Sequence, residues 1–199
     1  MQKIRDKTPK YGGIPAMIVL LDTSSLLSLV RYYLPFDNQD KLLNYFKQRI
    51  IAKEIVILET VYKESKLVVC GIIVERLDFL NDKKLRTKTD DLLPDKKYFN
   101  RLENEFCYGA RKNSLTPSEF ESRKKAFLES ADSKLLLYCL QHKEEIDSAN
   151  YVIVTEETVS SNDNKTFKKL PAICDTLEIK HSTLPELMGT FNDFTIEFL

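Results

Sequence analysis

A chain of 199 residues with 30 basic and 30 acidic side chains carries no formal net charge. That length suits one domain with a sizeable core, and the balance excludes a uniformly basic polyanion binder while leaving local patches open. No apolar run approaches membrane-spanning length, and the charged opening M-Q-K-I-R-D-K-T lacks the apolar stretch of a secretion signal, so a cytoplasmic protein outside the membrane is expected.

Residues 1–15 read as a flexible lead-in closed by Gly12, Gly13 and Pro15. Met17–Leu21 is an unbroken apolar run, as expected of a strand buried on both faces. Asp22 ends it, and Ser24 or Ser25 then serves as N-cap of a helix reaching Tyr33. Asp37 opens a second helix with Leu42, Leu43, Phe46 and Ile50 on one face. Ile55–Leu58 is the second strand. The helix after it begins at Glu59 or Thr60 and carries Val61, Glu64 and Val68 on one stripe.

A helical insertion is expected over about 72–129. Leu77 and Leu80 suggest one helix, Lys83–Asp91 a charged break, and Tyr98, Leu102 and Phe106 another helix. Thr116-Pro117-Ser118-Glu119 is a capping box with proline at the first helical position. Ala131, Leu135, Leu136 and Cys139 mark a further helix, either continuous with the previous one or restarting at Ser130. Tyr151–Val154 is the third strand. A polar loop at 160–169 follows, then a short helix opened by Pro171, a fourth strand at Glu178–His181, and a second capping box at Thr183–Glu186. Phe194, Ile196 and Phe198 alternate as in an edge strand. Strands alternating with helices predict a three-layer α/β/α domain on a central, mostly parallel sheet. Four cysteines, Cys70, Cys107, Cys139 and Cys174, are widely spaced without a C-x-x-C pair and read as small buried hydrophobes.

Four acids stand where packing alone explains them poorly. Asp22 and Glu157 fall at strand ends, where open α/β sheets build their sites. Glu64 and Asp132 share helix faces with apolar residues. Each has an ordinary alternative: a helix cap for Asp22, a pairing lysine for Glu64, a dipole partner for Asp132, a solvated turn for Glu157. If all four converge, each like-charge pair at about 4 Å costs on the order of 4 kcal/mol at an effective dielectric of 20. Protonation or a divalent cation must relieve that repulsion. Oxygen ligands without His or Cys suit Mg²⁺ or Mn²⁺, and the chemistry implied is phosphoester hydrolysis.

The order D-T-S-S at a strand end, an acid in V-Y-K-E, A-D at a helix start and V-T-x-E after a strand resembles the PIN domain over roughly residues 17–188. The likeness is to a longer PIN-like subfamily in which the last motif runs into a polar loop and a segment like Lys169–Asp175. PIN domains are metal-dependent ribonucleases, many of them toxins of toxin–antitoxin pairs. The resemblance makes Asp22, Glu64 and Asp132 the first three metal ligands and places Ser24 in the small polar position. Glu157, two residues after Thr155, falls on the fourth acid, with Glu rather than the usual Asp; Glu156 beside it leaves open which of the two serves. It implies Mg²⁺ or Mn²⁺ as cofactor, RNA as substrate and an antitoxin protein as partner; the alternating tail, which could add to another chain, leaves a homodimer open.

Other hydrolase schemes lack their residues. A haloacid-dehalogenase-type phosphatase needs Asp where Ser24 stands. No G-x-x-x-x-G-K-[ST] or G-x-S-x-G occurs, and five glycines are too few for a Rossmann phosphate loop. His142 and His181 read as structural. The clusters Lys83–Arg86, Arg111-Lys112 and Arg123–Lys125 read as solvated faces, whereas Lys165, Lys168 and Lys169 adjoin the expected site and could bind RNA phosphates. Tyr62 and Phe167 could stack on a base, although Tyr62 reads rather as packing. The alternative to an enzyme is a binding module of the same fold, using the insertion and the C-terminal strand as its surface.

Overall fold

The computed structural model describes residues 17–142, 151–159 and 165–195. The expected lead-in at 1–15, the start of the polar loop and the end of the alternating tail lie outside the described residues. Five strands, β1 (Ile18–Leu21), β2 (Ile55–Leu58), β3 (Arg86–Thr87), β4 (Tyr151–Val154) and β5 (Lys180–Ser182), form one parallel sheet in the order β3-β2-β1-β4-β5. Helices pack it into a three-layer α/β/α domain. All of β2 and β4 is buried, which is why these segments read as continuous apolar runs rather than alternating ones. The chain leaves β1 toward β2 and later returns on its other side to β4. The carboxyl ends of β1 and β4 therefore flank the point where strand order reverses, the place at which open parallel sheets expose a crevice.

Helix α1 (Thr23–Ser28) starts earlier than expected, because Asp22 and not Ser24 or Ser25 is its N-cap. A π turn, Leu29–Tyr33, and a 3₁₀ turn, Leu34–Phe36, extend it. Asp37 accepts from Leu42 N and Leu43 N and so holds the start of α2 (Lys41–Ile51), which buries Leu42, Phe46 and Ile50. Helix α3 (Glu59–Ser65) stops before Val68. The next residues, Val69, Cys70 and Gly71, are all left-handed, with φ of 47°, 56° and 82°. This strained turn redirects the chain and leaves Cys70 exposed, against the expectation that all four cysteines are buried.

The stretch 72–129 is not purely helical. Helix α4 (Ile72–Arg76) breaks at Leu77, so Leu77 and Leu80 do not share a helix. The charged break contains β3, whose Arg86 and Thr87 pair with Ile57 and Leu58. A two-residue strand has no periodicity to read, and Arg86 is buried by its partners rather than by its own polarity. Helix α5 (Lys96–Asn104) ends before Phe106. A short α6 (Gly109–Asn113) precedes α7 (Pro117–Glu129), which carries the expected capping box. Extended Ser130 separates it from α8 (Ala131–His142), which settles the restart.

Helix α9 (Leu170–Leu177) ends on Glu178, left-handed at φ 55°, so β5 begins two residues later than expected. Helix α10 (Leu184–Gly189) carries the second capping box. The described part of the tail does not reach the sheet edge: Phe194 stacks on Tyr45 at 4.5 Å and Asp193 pairs with Arg49 on α2.

Candidate functional site

Asp22 extends the β1 ladder by one bond, its N–H donating to Val154 O at 3.0 Å, and then turns the chain into α1. Its side chain is only 5% exposed. Oδ1 accepts from Thr23 N at 2.6 Å. Oδ2 accepts from Ser24 N, from Ser24 Oγ at 2.7 Å and from Thr155 Oγ1 at 3.1 Å. Burial pushes this carboxyl up, and the bonds from Ser24, Thr23 and Thr155 oppose it. The helix-cap reading of Asp22 is therefore correct as geometry, and it leaves Oδ1 with a single donor among the described residues.

Two hydroxyls tie the switch point together. Ser24 Oγ accepts from Glu156 N at 2.9 Å and lies 3.2 Å from Thr155 Oγ1. Thr23 Oγ1 donates to Glu64 Oε2 at 2.7 Å. Glu64 thus reaches the Asp22 turn, but the residue is exposed at the rim rather than buried with Val61 on the same helix, and Val68 lies beyond the helix end. Partial desolvation beside Thr23 raises its carboxyl, the bond from Thr23 lowers it, and Asp22 and Glu157 raise it further.

Glu156 and Glu157 diverge. The Glu156 carboxylate accepts from Leu184 N at 2.7 Å, capping α10, and adds to the field that raises Tyr33. The Glu157 carboxylate accepts from Leu170 N at 3.0 Å at the start of α9, and its field reaches both Glu64 and Asp132. Of the two, Glu157 faces the other acids.

Asp132, partly buried in the first turn of α8, has no hydrogen-bond donor among the described residues. Burial, then Asp22, Glu157 and Glu64, push its carboxyl up to about 8, against the pull of Lys165. The four acids expected from sequence thus share one electrostatic site. Among the described residues no group of three or more His, Cys, Asp or Glu side chains is arranged to hold a metal ion as it stands. The cause is visible: Asp22 is turned onto α1, Glu64 onto Thr23 and Glu157 onto α9. The donor set, all oxygen with one carboxylate undonated and one Oδ1 nearly so, fits a hard cation.

Of the flanking lysines, Lys165 lies 3.6 Å from Glu157. Lys168 and Lys169 are half-buried beside it. Phe167 is buried against Phe127 and Phe120 and offers no face to a base. The Tyr62 ring has Arg86 at 3.8 Å and Lys66 at 4.6 Å, which confirms packing. His142 stacks on Tyr138 and His181 pairs with Asp175. Sequence reading missed Thr23 as the link to Glu64, although it lies within the D-T-S-S run. A cavity of about 220 Å³ between α5, α8 and α9, lined by Leu93, Tyr98, Leu137 and Leu140, contains none of the four acids.

Comparison with family models, curated proteins and solved structures gives no match for this chain. What fold and site define together is a three-layer α/β/α protein with an acidic cluster at the switch point of a parallel sheet. Among the described residues no helix is long and apolar enough to cross a membrane.

Proposed function

We propose that this protein is a PIN-like metal-dependent endoribonuclease that hydrolyses RNA phosphodiesters with Mg²⁺ or Mn²⁺. The observation that carries the reading is Asp132: a carboxylate without a donor among the described residues, surrounded by three more acids, whose ionisation is held off to about pH 8. Below that pH a proton relieves the repulsion, and a bound divalent cation would relieve it with the carboxyls ionised, which is what favours a cation site here.

Asp22, Glu64, Asp132 and Glu157 would hold the ion. When bound, it supplies an activated water and stabilises charge on a phosphoryl oxygen. Ser24 and Thr155 fix Oδ2 of Asp22 and so orient Oδ1. Thr23 fixes Glu64. Lys168 and Lys169, which follow Lys165 in the chain, would contact RNA phosphates on this reading. A toxin role with an antitoxin partner, a homodimer and a cytoplasmic location extend the same reading.

The test is cleavage of total RNA with and without chelator, in the wild type and Asp132→Asn. Chelator-sensitive cleavage lost in the variant supports the proposal, and cleavage that survives both overturns it.

A second reading has an observation of its own. Asp22, Glu156 and Glu157 each cap a helix, so these acids also suit a binding module that does no chemistry. Crystals soaked in Mn²⁺ separate the two: an anomalous peak between Asp22 and Asp132 favours the nuclease, and its absence favours the module.

A further inference from the structure

Lys165 is built into the acidic site by an arm that the nuclease reading of the sequence did not use. Tyr108 N donates to Thr166 O at 3.0 Å, and Lys168 N donates to Phe106 O at 2.7 Å. These bonds form an antiparallel bridge between Cys107 and Phe167. The Phe167 ring lies 4.6 Å from that of Phe127 on α7, and Arg123 of α7 donates to Thr166 Oγ1 at 2.8 Å. Residues 166–168 are therefore clamped to the α5–α7 arm by backbone, ring and side-chain contacts together. Lys165 is the residue next to this clamp. Its ammonium lies 3.6 Å from Glu157 Oε1 and remains 60% exposed. Its field also reaches Glu64 and Asp132, where it favours the ionised carboxyls.

We propose that Lys165 is an in-chain counter-ion at the mouth of the acidic site, which a divalent cation must displace from Glu157. This rests on the reading above in one respect, that the carboxylates are cation ligands. Lys165 is then a positioning residue that sets how much free Mg²⁺ or Mn²⁺ loads the protein. A fixed positive charge a few ångströms from a cation site weakens that site, by about three- to tenfold for an exposed charge in water. Once displaced, the ammonium stays at the mouth on its clamped segment, next to where a phosphate would sit.

The experiment is calorimetric titration of the full chain with MnCl₂, using the wild type, Lys165→Gln and Lys165→Arg. Tighter Mn²⁺ binding by Lys165→Gln, with Lys165→Arg like the wild type, is expected. Binding by Lys165→Gln alone, with none by wild type or Lys165→Arg, is the same effect carried to completion. Equal or weaker binding by Lys165→Gln overturns the counter-ion role, and so does tightening in Lys165→Arg, because the charge would then be irrelevant. Lack of Mn²⁺ binding by all three removes the cation reading itself, and with it the role of Lys165, an outcome distinct from the failure of Lys165 alone.

Discussion

Two acids near the carboxyl ends of this sheet are treated in opposite ways. Glu59, just past β2, has Arg86 of the edge strand at 3.3 Å, and that guanidinium lies 3.8 Å over the Tyr62 ring. Arg86 is 4% exposed at its side chain and its Nε has no aligned hydrogen bond, so charge and ring carry the contact. Asp132, at the β1–β4 crevice, feels the fields of Asp22, Glu157 and Glu64, and Lys165 opposes them. Where an acid is structural, this fold supplies a buried cation with aromatic support. At the switch point it supplies more acids, with the exposed Lys165 beside them. On the proposed reading, that asymmetry separates an acid that holds the molecule together from one kept for a ligand.

The comparison breaks or holds on graded experiments. The largest effect is expected from Asp132→Asn, which should lower Mg²⁺-dependent RNA cleavage by about a hundredfold or more, since even groups behind a metal ligand are worth 10–100-fold. Gel-based cleavage of a defined RNA measures it, and a retained rate removes Asp132 from the chemistry. Arg86→Met should leave cleavage unaltered but cost about 2 kcal/mol in urea unfolding, because Glu59 loses its cation and Tyr62 its partner. An activity loss with unchanged stability would reverse the assignments of the two acids.

A smaller effect is expected from pH. In the native chain the Asp132 carboxyl is raised to about 8 from its ordinary 3.8. The native state therefore holds a proton that the unfolded chain has released, and stability falls as pH rises between these values. The slope for one proton is at most about 1.4 kcal/mol per pH unit. Denaturation in chelator from pH 5 to 8.5 should show this decline, and Asp132→Asn should flatten it. A wild-type profile already flat there would mean that the acids do not share a field. Thr116→Ala sets the lower bound: it removes the α7 capping box at a cost of about 1 kcal/mol. Thermal unfolding reads it, and Mn²⁺ affinity should change little, because the clamp bonds at Phe106 and Tyr108 remain.

The sequence by itself determined the parts governed by short-range physics. Unbroken apolar runs gave β1, β2 and β4, and two capping boxes gave the starts of α7 and α10 within a residue. The D-T-S-S turn put Asp22 at the end of the first strand, and helical spacing put Asp132 on the apolar stripe of α8, whose start the break at Ser130 then decided. Tertiary structure decided the rest, because the contacts responsible join distant segments. β3 exists only because Ile57 and Leu58 pair with Arg86 and Thr87, which carry no pattern of their own. The left-handed turn at Val69–Gly71, which carries the exposed Cys70, has no local sequence signature. The choice of Glu157 over Glu156 depends on the two helix starts these carboxylates cap. Lys165 reaches the acids through a bridge to Cys107, a contact across about sixty residues that no local spacing encodes.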